Sequence, residues 1–302
     1  MSNPSLSIII PSYNTKKLII NCLSSVFKQD KEKVNFEVII VDNASTDDSV
    51  KAIKKNFPQV KVIVNQENLG YARANNQALK QAKGRYILFL NSDTLILDKA
   101  IKKSLDFMTN NPQIDILGCQ LLNKDRTIQP SGGFFPHLKQ VFYMMFFLDD
   151  LPLINNLLVV YQQTNINFWK KKQFLDWVTG AFLMVKKEVA VKIKGFDESF
   201  FMYGEEVDFC YRAKKKGFQV CFWPQAKVVH LKGKSSKNGF QRAVLGEYQG
   251  LQKFYQKHKP KWMLPVLIIL LKIGAVLRVI LFGILKRDRN KAKIYEKAFK
   301  LA

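Results

Sequence analysis

The chain reads as an α/β protein: a mostly parallel sheet flanked by helices, followed by a basic, apolar helical extension. Three observations predict this. Short apolar, β-branched runs alternate with helical patterns through residues 6–118, the pattern of a parallel sheet covered on both faces. Two of those runs, Phe36-Glu37-Val38-Ile39-Ile40-Val41 and Tyr86-Ile87-Leu88-Phe89-Leu90, stop on acidic loops. Finally, residues 251–302 switch to a composition of aliphatic side chains and lysine.

Residues 6–10 read as a strand, and 16–29 as a helix with an apolar stripe at Leu18, Cys22 and Val26. A strand follows at 34–41, continuous and apolar as both-face burial requires. Residues 47–56 read as a helix with an acidic first turn, which the helix dipole favours. Strands at 60–65, 85–90 and 114–117 alternate with helices at 71–82 and 97–108, the last closed by Asn110-Asn111-Pro112. In such a sheet, ligands sit beyond the C-terminal ends of the strands.

From about 119 the alternation breaks. Residues 134–170 are rich in Phe, Met, Leu and Tyr, and 142–148 is too short to cross a bilayer. That stretch reads equally as core or as contact with an acceptor or membrane. Ordered signals return at 176–186, 195–217 and 218–230. The expected division is 1–118, 119–245 and 246–302.

Composition narrows the partners. The 302 residues hold 48 Lys and Arg against 24 Asp and Glu, a net charge of +24. That points to an anionic partner. No zinc-finger spacing, RNA-binding aromatic signature or Arg-rich arm appears, so nucleic acid is not expected. The four cysteines, Cys22, Cys119, Cys210 and Cys221, are scattered and read as reduced thiols. The N-terminus enters a strand at once, without the pattern of a signal peptide.

Residues 251–302 carry a net charge of +11, thirteen Lys and Arg against two Asp and Glu. Within them 264–285 is apolar apart from Lys272 and Arg278. As a helix it measures roughly 33 Å, long enough to span a bilayer. The two cations cost roughly 5–7 kcal/mol on an insertion scale, about what the apolar side chains return. At about 100° per residue, Lys261, Lys272 and Lys286 share a narrow stripe. A basic stripe on an apolar helix favours lying in the interface of an anionic membrane over spanning it. Lys286-Arg287-Asp288-Arg289-Asn290-Lys291 would meet anionic headgroups.

The order of the loops carries the functional inference. Strand one ends in Pro11-Ser12-Tyr13-Asn14, and strand two in Asp42-Asn43-Ala44-Ser45-Thr46-Asp47. Then come Asn65-Gln66-Glu67-Asn68-Leu69-Gly70-Tyr71-Ala72-Arg73-Ala74-Asn75-Asn76 and Asn91-Ser92-Asp93. This ordered series resembles the family 2 glycosyltransferases with the GT-A nucleotide-sugar-binding fold, and is most similar to their bacterial rhamnosyltransferase-like branch. The resemblance covers roughly residues 5–235. It implies an inverting transfer from a nucleotide-diphosphate sugar to a lipid-linked or growing cell-surface glycan. It also implies a divalent cation, Mg²⁺ or Mn²⁺, and work at the cytoplasmic face of the plasma membrane.

The residues take roles within that resemblance. Asp42 can accept hydrogen bonds from the base imide or the ribose, with Pro11, Tyr13 and Asn14 lining the base; its alternative is a turn cap. Asn43, Asn68 and Gly70 complete the donor side, Gly70 by a sharp turn or a close backbone approach. Arg73 meets either a phosphate or a local carboxylate, and Asn75 and Asn76 hold loops. Asp47 caps a helix or touches ligand. Asn91, Ser92 and Asp93 stand where the family has its DxD metal motif, with only the last carboxylate kept. His230 would join Asp93 at the metal or the diphosphate, or is a core histidine. Lys232, Lys234, Ser235 and Ser236 could close over the diphosphate.

Glu205 and Glu206, within Tyr203-Gly204-Glu205-Glu206-Val207-Asp208, match the family's acidic pair. Glu206 is the expected base for the acceptor hydroxyl, with Glu205 second. Asp208 and Arg212 are spaced as a helix pair. Trp177, Gly180 and Ala181 fall in the acceptor stretch, Trp177 facing either a sugar or the core. Two other readings remain: a catalytically weakened glycan- or membrane-binding relative, and a nucleotidyltransferase. The latter needs a Gly- and Lys/Arg-rich loop after strand one, which Pro11-Ser12-Tyr13-Asn14-Thr15 lacks.

Overall fold

The computed structural model describes residues 4–28, 34–151, 157–231 and 239–302. Strands β1 (Leu6–Ser12), β2 (Phe36–Asp42), β3 (Lys61–Val64) and β4 (Tyr86–Leu90) run parallel. Helices α1 (Lys16–Phe27), α2 (Ser49–Asn56) and α3 (Gly70–Leu79) connect them. The chain continues through β5 (Thr94–Ile96), α4 (Ala100–Asn110), β6 (Ile116–Leu122), β7 (Ile128–Gln129), β8 (Gly132–Gly133) and α5 (Leu138–Met145). Next come β9 (Gln173–Phe174), β10 (Trp177–Val178), β11 (Phe182–Lys186), α6 (Lys187–Lys192), α7 (Glu205–Lys215) and β12 (Val220–His230). Helices α8 (Gly239–His258), α9 (Met263–Ile280) and α10 (Arg289–Leu301) follow, with a π-turn over Leu281–Leu285.

The main sheet has the order β3-β2-β1-β4-β11-β6-β12-β5. It is mixed: β1 to β4, β6 and β12 run parallel as expected, but β11 lies antiparallel between β4 and β6, β5 antiparallel on β12, and the short β7 and β9 pair antiparallel with β6 and β12. For β11 and β5 this could not be read from periodicity. β5 is three residues long, and the apolar pattern of β11 fits either direction.

Alternate strand residues feed two cores. Ile9, Ile39, Val41, Ile87 and Phe89 face one, and Ile8, Ile10, Val38, Ile40 and Leu88 the other. Helices α1, α2 and α4 cover the second through Ile19, Cys22, Ile53, Ile101 and Met108. Helices α3, α6 and α7 cover the first, which extends without a break to α8, α9 and α10. The expected divisions therefore cut through elements: 118/119 falls inside β6 and 245/246 inside α8. One sheet and one continuous core join the segments.

The expected acidic first turn at 47–56 is corrected. Helix α2 starts at Ser49, and Asp47 stands outside it. Its carboxylate accepts from the backbone of Lys16 at 2.8 Å and of Ser49 at 3.2 Å, so it ties together the starts of α1 and α2. The end of the expected 16–29 helix lies outside the described residues.

The apolar helix α9 packs against α5. Gly274 makes this possible, since a Cβ there would collide with Met145. Arg278 turns inward, its guanidinium donating to the carbonyls of Met145 at 3.0 Å and Met144 at 2.7 Å. It also lies 4.4 Å from the Phe147 ring centre. A cation at the C-terminus of α5 satisfies carbonyls that the helix itself leaves open. Lys272 sits over the Phe299 ring of α10.

Helix α8 links this helical layer to the loop before α7. Tyr203 and Gly204 both have left-handed backbone, φ 71° and 89°. The Tyr203 ring lies against Gly246, where a Cβ would clash, and a Cβ on Gly250 would lie 2.7 Å from the Tyr203 carbonyl oxygen. Gly246→Ala is therefore expected to lose about 1–3 kcal/mol of stability by overpacking. Urea unfolding at unchanged m-value checks this. A loss below about 0.5 kcal/mol would mean that Tyr203 is not wedged there.

Candidate active site

The site lies along one edge of the sheet, and register explains why. Ser12 pairs with Asp42 at the ends of β1 and β2. Phe182 of antiparallel β11 pairs with Leu90 of β4, so Gly180 and Ala181 enter where β4 ends. The Asn91 amide donates to the Ala181 carbonyl at 3.2 Å. His230, the last residue of β12, pairs with Thr94 of β5. Residues from four distant parts of the chain thus reach one edge.

Asp42 is fully buried. Its Oδ1 accepts from the Ser45 backbone at 2.8 Å, while Oδ2 has no partner. Asn14 has φ 51° and holds the facing turn through its Oδ1, which accepts from Thr46 at 2.7 Å. Tyr13 is exposed beside it. Asn43 and Asn68 serve the scaffold. The Asn43 side chain donates to the Gly70 carbonyl and accepts from Asn65, and Asn68 Oδ1 accepts from the Gly70 amide at 3.0 Å. Gly70 needs its φ of +83°, and a Cβ would lie 2.7 Å from the Phe201 carbonyl. The close approach is thus to the 201 loop. Arg73 takes the local carboxylate, with Nε 3.6 Å from Glu198 Oε2. Asn76 grips the 196–198 loop by accepting from the Phe196 amide and donating to its carbonyl and to Glu198.

Asp93 is buried and His230 partly so, and they face each other, Nε2 lying 3.3 Å from Oδ1. Asn91 Nδ2 is 3.4 Å from the same ring nitrogen. Among the described residues no group of three or more His, Cys, Asp or Glu side chains gathers to hold a metal. The donors present still fit a divalent ion that takes its other ligands from a diphosphate and water. A carboxylate and an imidazole nitrogen 3.3 Å apart match neighbouring ligands of an octahedral shell, about 3 Å apart with ~2.1 Å bonds. One residue of this cluster escaped the sequence reading. Gln129 accepts from His230 Nδ1 at 2.7 Å. Nothing in a two-residue strand with one Gln signals that contact.

The acidic pair opens α7. Glu205 is buried and Glu206 partly so, and each has an Oε2 with no partner. Burial first, then the Glu206 charge, pushes Glu205 well above the ordinary carboxylate range, and burial raises Glu206 as well. The Tyr71 and Tyr203 phenols are raised by burial and then by the charges of Glu205 and Glu206, with Asp93 contributing to both. The three carboxylates therefore border one region. Of seven buried side-chain N or O atoms without partners among the described residues, three are the oxygens of Asp42, Glu205 and Glu206.

Other residues fall into supporting roles. Asp208, fully buried, pairs with Arg212 at 2.7 Å as its spacing predicts, and also meets His258 at 2.6 Å. Gly180 lies under Tyr71, whose hydroxyl donates to its carbonyl at 2.9 Å. The sugar-facing expectation for Trp177 is corrected. The residue is 7% exposed, its Nε1 donates to the carbonyls of Phe134 and Tyr161, and it packs in the core, the other of its two expected placements. The expected loop at Lys232, Lys234, Ser235 and Ser236 lies outside the described residues.

The chain matches Glycosyl transferase family 2 over residues 7–189, and the N-terminal domain of galactosyltransferase over 162–234. It is 26% identical over 231 residues to the O-antigen biosynthesis protein RfbC of Myxococcus xanthus, covering 75% of this chain and 17% of that protein. It is 25% identical over 241 residues to an N-acetylglucosaminyl-diphospho-decaprenol L-rhamnosyltransferase of Mycobacterium tuberculosis, covering 76% of this chain and 78% of that one. Among solved structures, the mannosyltransferase PcManGT of Pyrobaculum calidifontis, in complex with GDP-Man and Mn²⁺, superposes with a TM-score of 0.59 at 18% identity, covering 100% and 84% of the two chains. Residues 1–349 of S. aureus TarS in complex with UDP give a TM-score of 0.55 at 18% identity, covering 98% and 90%. The sheet order, the acidic strand ends and these matches agree: the chain belongs to glycosyltransferase family 2.

Proposed function

We propose that this glycosyltransferase moves a sugar, with inversion, from a nucleotide-diphosphate donor to a polyprenyl-linked or growing envelope glycan at the cytoplasmic membrane face. The observation that carries this is the set of unpartnered buried oxygens on Asp42, Glu205 and Glu206. Buried acceptors without donors are costly, and a bound donor and acceptor supply the missing hydrogen bonds. Asp42 takes the nucleoside side, with Pro11, Tyr13 and Asn14 at the base. Asp93 and His230 are the residues that would hold a divalent ion, whose charge neutralises the leaving diphosphate. Asn91 and Ser92 frame that position.

Glu206 acts as the base. It is the more exposed of the pair, so an acceptor hydroxyl can reach it. The proton passes to its carboxylate as the hydroxyl oxygen attacks the anomeric carbon and the diphosphate departs. Glu205 lies deeper, and its burial together with the neighbouring Glu206 charge favours its protonated form, which lowers the negative charge beside Glu206. Gly180 and Ala181 line the acceptor side. The named activity of the mycobacterial relative, on a decaprenol-diphosphate-linked sugar, supports a lipid-linked acceptor.

The apolar stretch Met263–Leu285 supports membrane attachment, with mean hydropathy 2.5. Its exposed side chains, Val266, Ile269, Ile273, Val276, Ile280 and Ile284, form one stripe at helical spacing. Leu267, Leu271, Gly274 and Ala275 face the protein. The two cations that burdened the helix in sequence, Lys272 and Arg278, are engaged by α10 and α5 instead. A helix packed along one face and apolar along the other lies in the interface.

Three outcomes are expected. Glu206→Gln slows donor-dependent nucleotide release about 10²–10⁴-fold, measured against a nucleotide-sugar panel with and without Mg²⁺ or Mn²⁺; release at the wild-type rate would refute the base assignment. The raised Glu205 favours the folded state when protonated. Its stabilising contribution is complete below the ordinary value of 4.5 and is lost as pH rises through the folded value. The melting temperature of Glu205→Gln relative to wild type should therefore climb between pH 4 and pH 8, and a flat difference contradicts the burial of this charge. Replacing Ile269 and Ile273 by Glu should cut sedimentation with anionic vesicles roughly tenfold or more per substitution. Unchanged binding would remove the α9 stripe from the membrane.

A further inference from the structure

We propose that Gln129 is a positioning residue, which sets the tautomer of His230 and so leaves a lone pair on the ring nitrogen beside Asp93. This rests on the reading of Asp93 and His230 as the ion-holding pair. The argument follows a chain of hydrogen bonds through the β6–β7 hairpin whose direction is fixed at its far end. The Asp125 carboxylate can only accept, so the Thr127 hydroxyl donates to it at 2.6 Å. That hydroxyl has spent its one proton, and its oxygen accepts from the Asn123 amide nitrogen at 2.9 Å. Asn123 therefore presents its oxygen to Gln129, whose Nε2 donates to it at 2.8 Å. The same Nε2 donates to the His230 carbonyl at 3.2 Å, which fixes the amide a second time.

Only Gln129 Oε1 is left to face His230 Nδ1, at 2.7 Å. The proton of the neutral ring therefore sits on Nδ1. Nε2 then carries a lone pair, which the Asn91 amide nitrogen approaches at 3.4 Å, and it lies 3.3 Å from Asp93 Oδ1. A ring nitrogen whose partner nitrogen is held as a donor is oriented for a metal. Gln129 is 4% exposed, so water does not compete at this link. A neutral amide also does this without adding negative charge beside the diphosphate.

The test uses the full chain labelled with ¹⁵N-histidine; it holds three histidines. At a pH where the ring is neutral, His230 should show the Nδ1–H tautomer without any metal. Gln129→Leu should shift it toward Nε2–H. Mn²⁺ affinity with UDP present, read by electron paramagnetic resonance, should fall about 10–100-fold in Gln129→Leu. An Nε2–H tautomer in the wild-type protein overturns the proposal even if the variants do not fold. So does a Gln129→Leu protein that keeps Nδ1–H. Failure of the ion-holding reading looks different: His230→Ala then leaves Mn²⁺ affinity unchanged while the tautomer results stand.

Discussion

The antiparallel insertion of β11 between β4 and β6 is the constraint on which the site depends. A parallel sheet brings the strand ends of β1, β2 and β4 to one edge, which suffices for a nucleotide. It leaves the other half of the chain without a fixed approach. β11 runs the other way, so its beginning meets the end of β4. Ala181, next to Gly180, is thereby bonded to Asn91, two residues before Asp93, and β12 then carries His230 to the same edge. Slipping β11 by one residue would exchange its two faces and separate these groups.

The acidic pair is held against its own electrostatics. Two adjacent carboxylates at a helix start gain from the dipole but lose through burial and mutual repulsion. The structure retains them by anchoring the preceding loop on three sides. Asn76 holds residues 196–198, the backbone of Phe201 accepts from Tyr71, and Gly246 and Gly250 seat Tyr203. Because α8 also packs on α9 and α10, the helices proposed to meet the membrane share one core with the helix that seats the loop before Glu206. An acceptor arriving along the bilayer would find the base already positioned.

The C-terminal helix shows how tertiary contacts change the meaning of a sequence. Lys272 and Arg278 sit within an apolar run and look like interruptions. In the fold, Arg278 closes the carbonyl end of α5 and Lys272 rests on an aromatic ring of α10. Neither charge lies on the outward stripe, which is left apolar. The basic stripe read from sequence thus becomes an apolar stripe with cations at its ends, Lys261 before it and Lys286 after it.

The sequence by itself determined the alternation of β1 to β4 with their helices, because burial on both faces demands continuous apolar strands. It also determined which carboxylates end those strands, and the Asp208–Arg212 pair, whose contact is local in a helix. Tertiary structure alone decided the rest. The direction of β11, the burial of Trp177, the turning of Arg73 to Glu198, and the contact of Gln129 with His230 across 101 residues depend on partners distant in the chain. No local propensity encodes such contacts. The edge at Asn91-Ser92-Asp93 was legible as acidic, and the family resemblance paired it with His230, but the Gln129 contact with that ring came about only when the strands did.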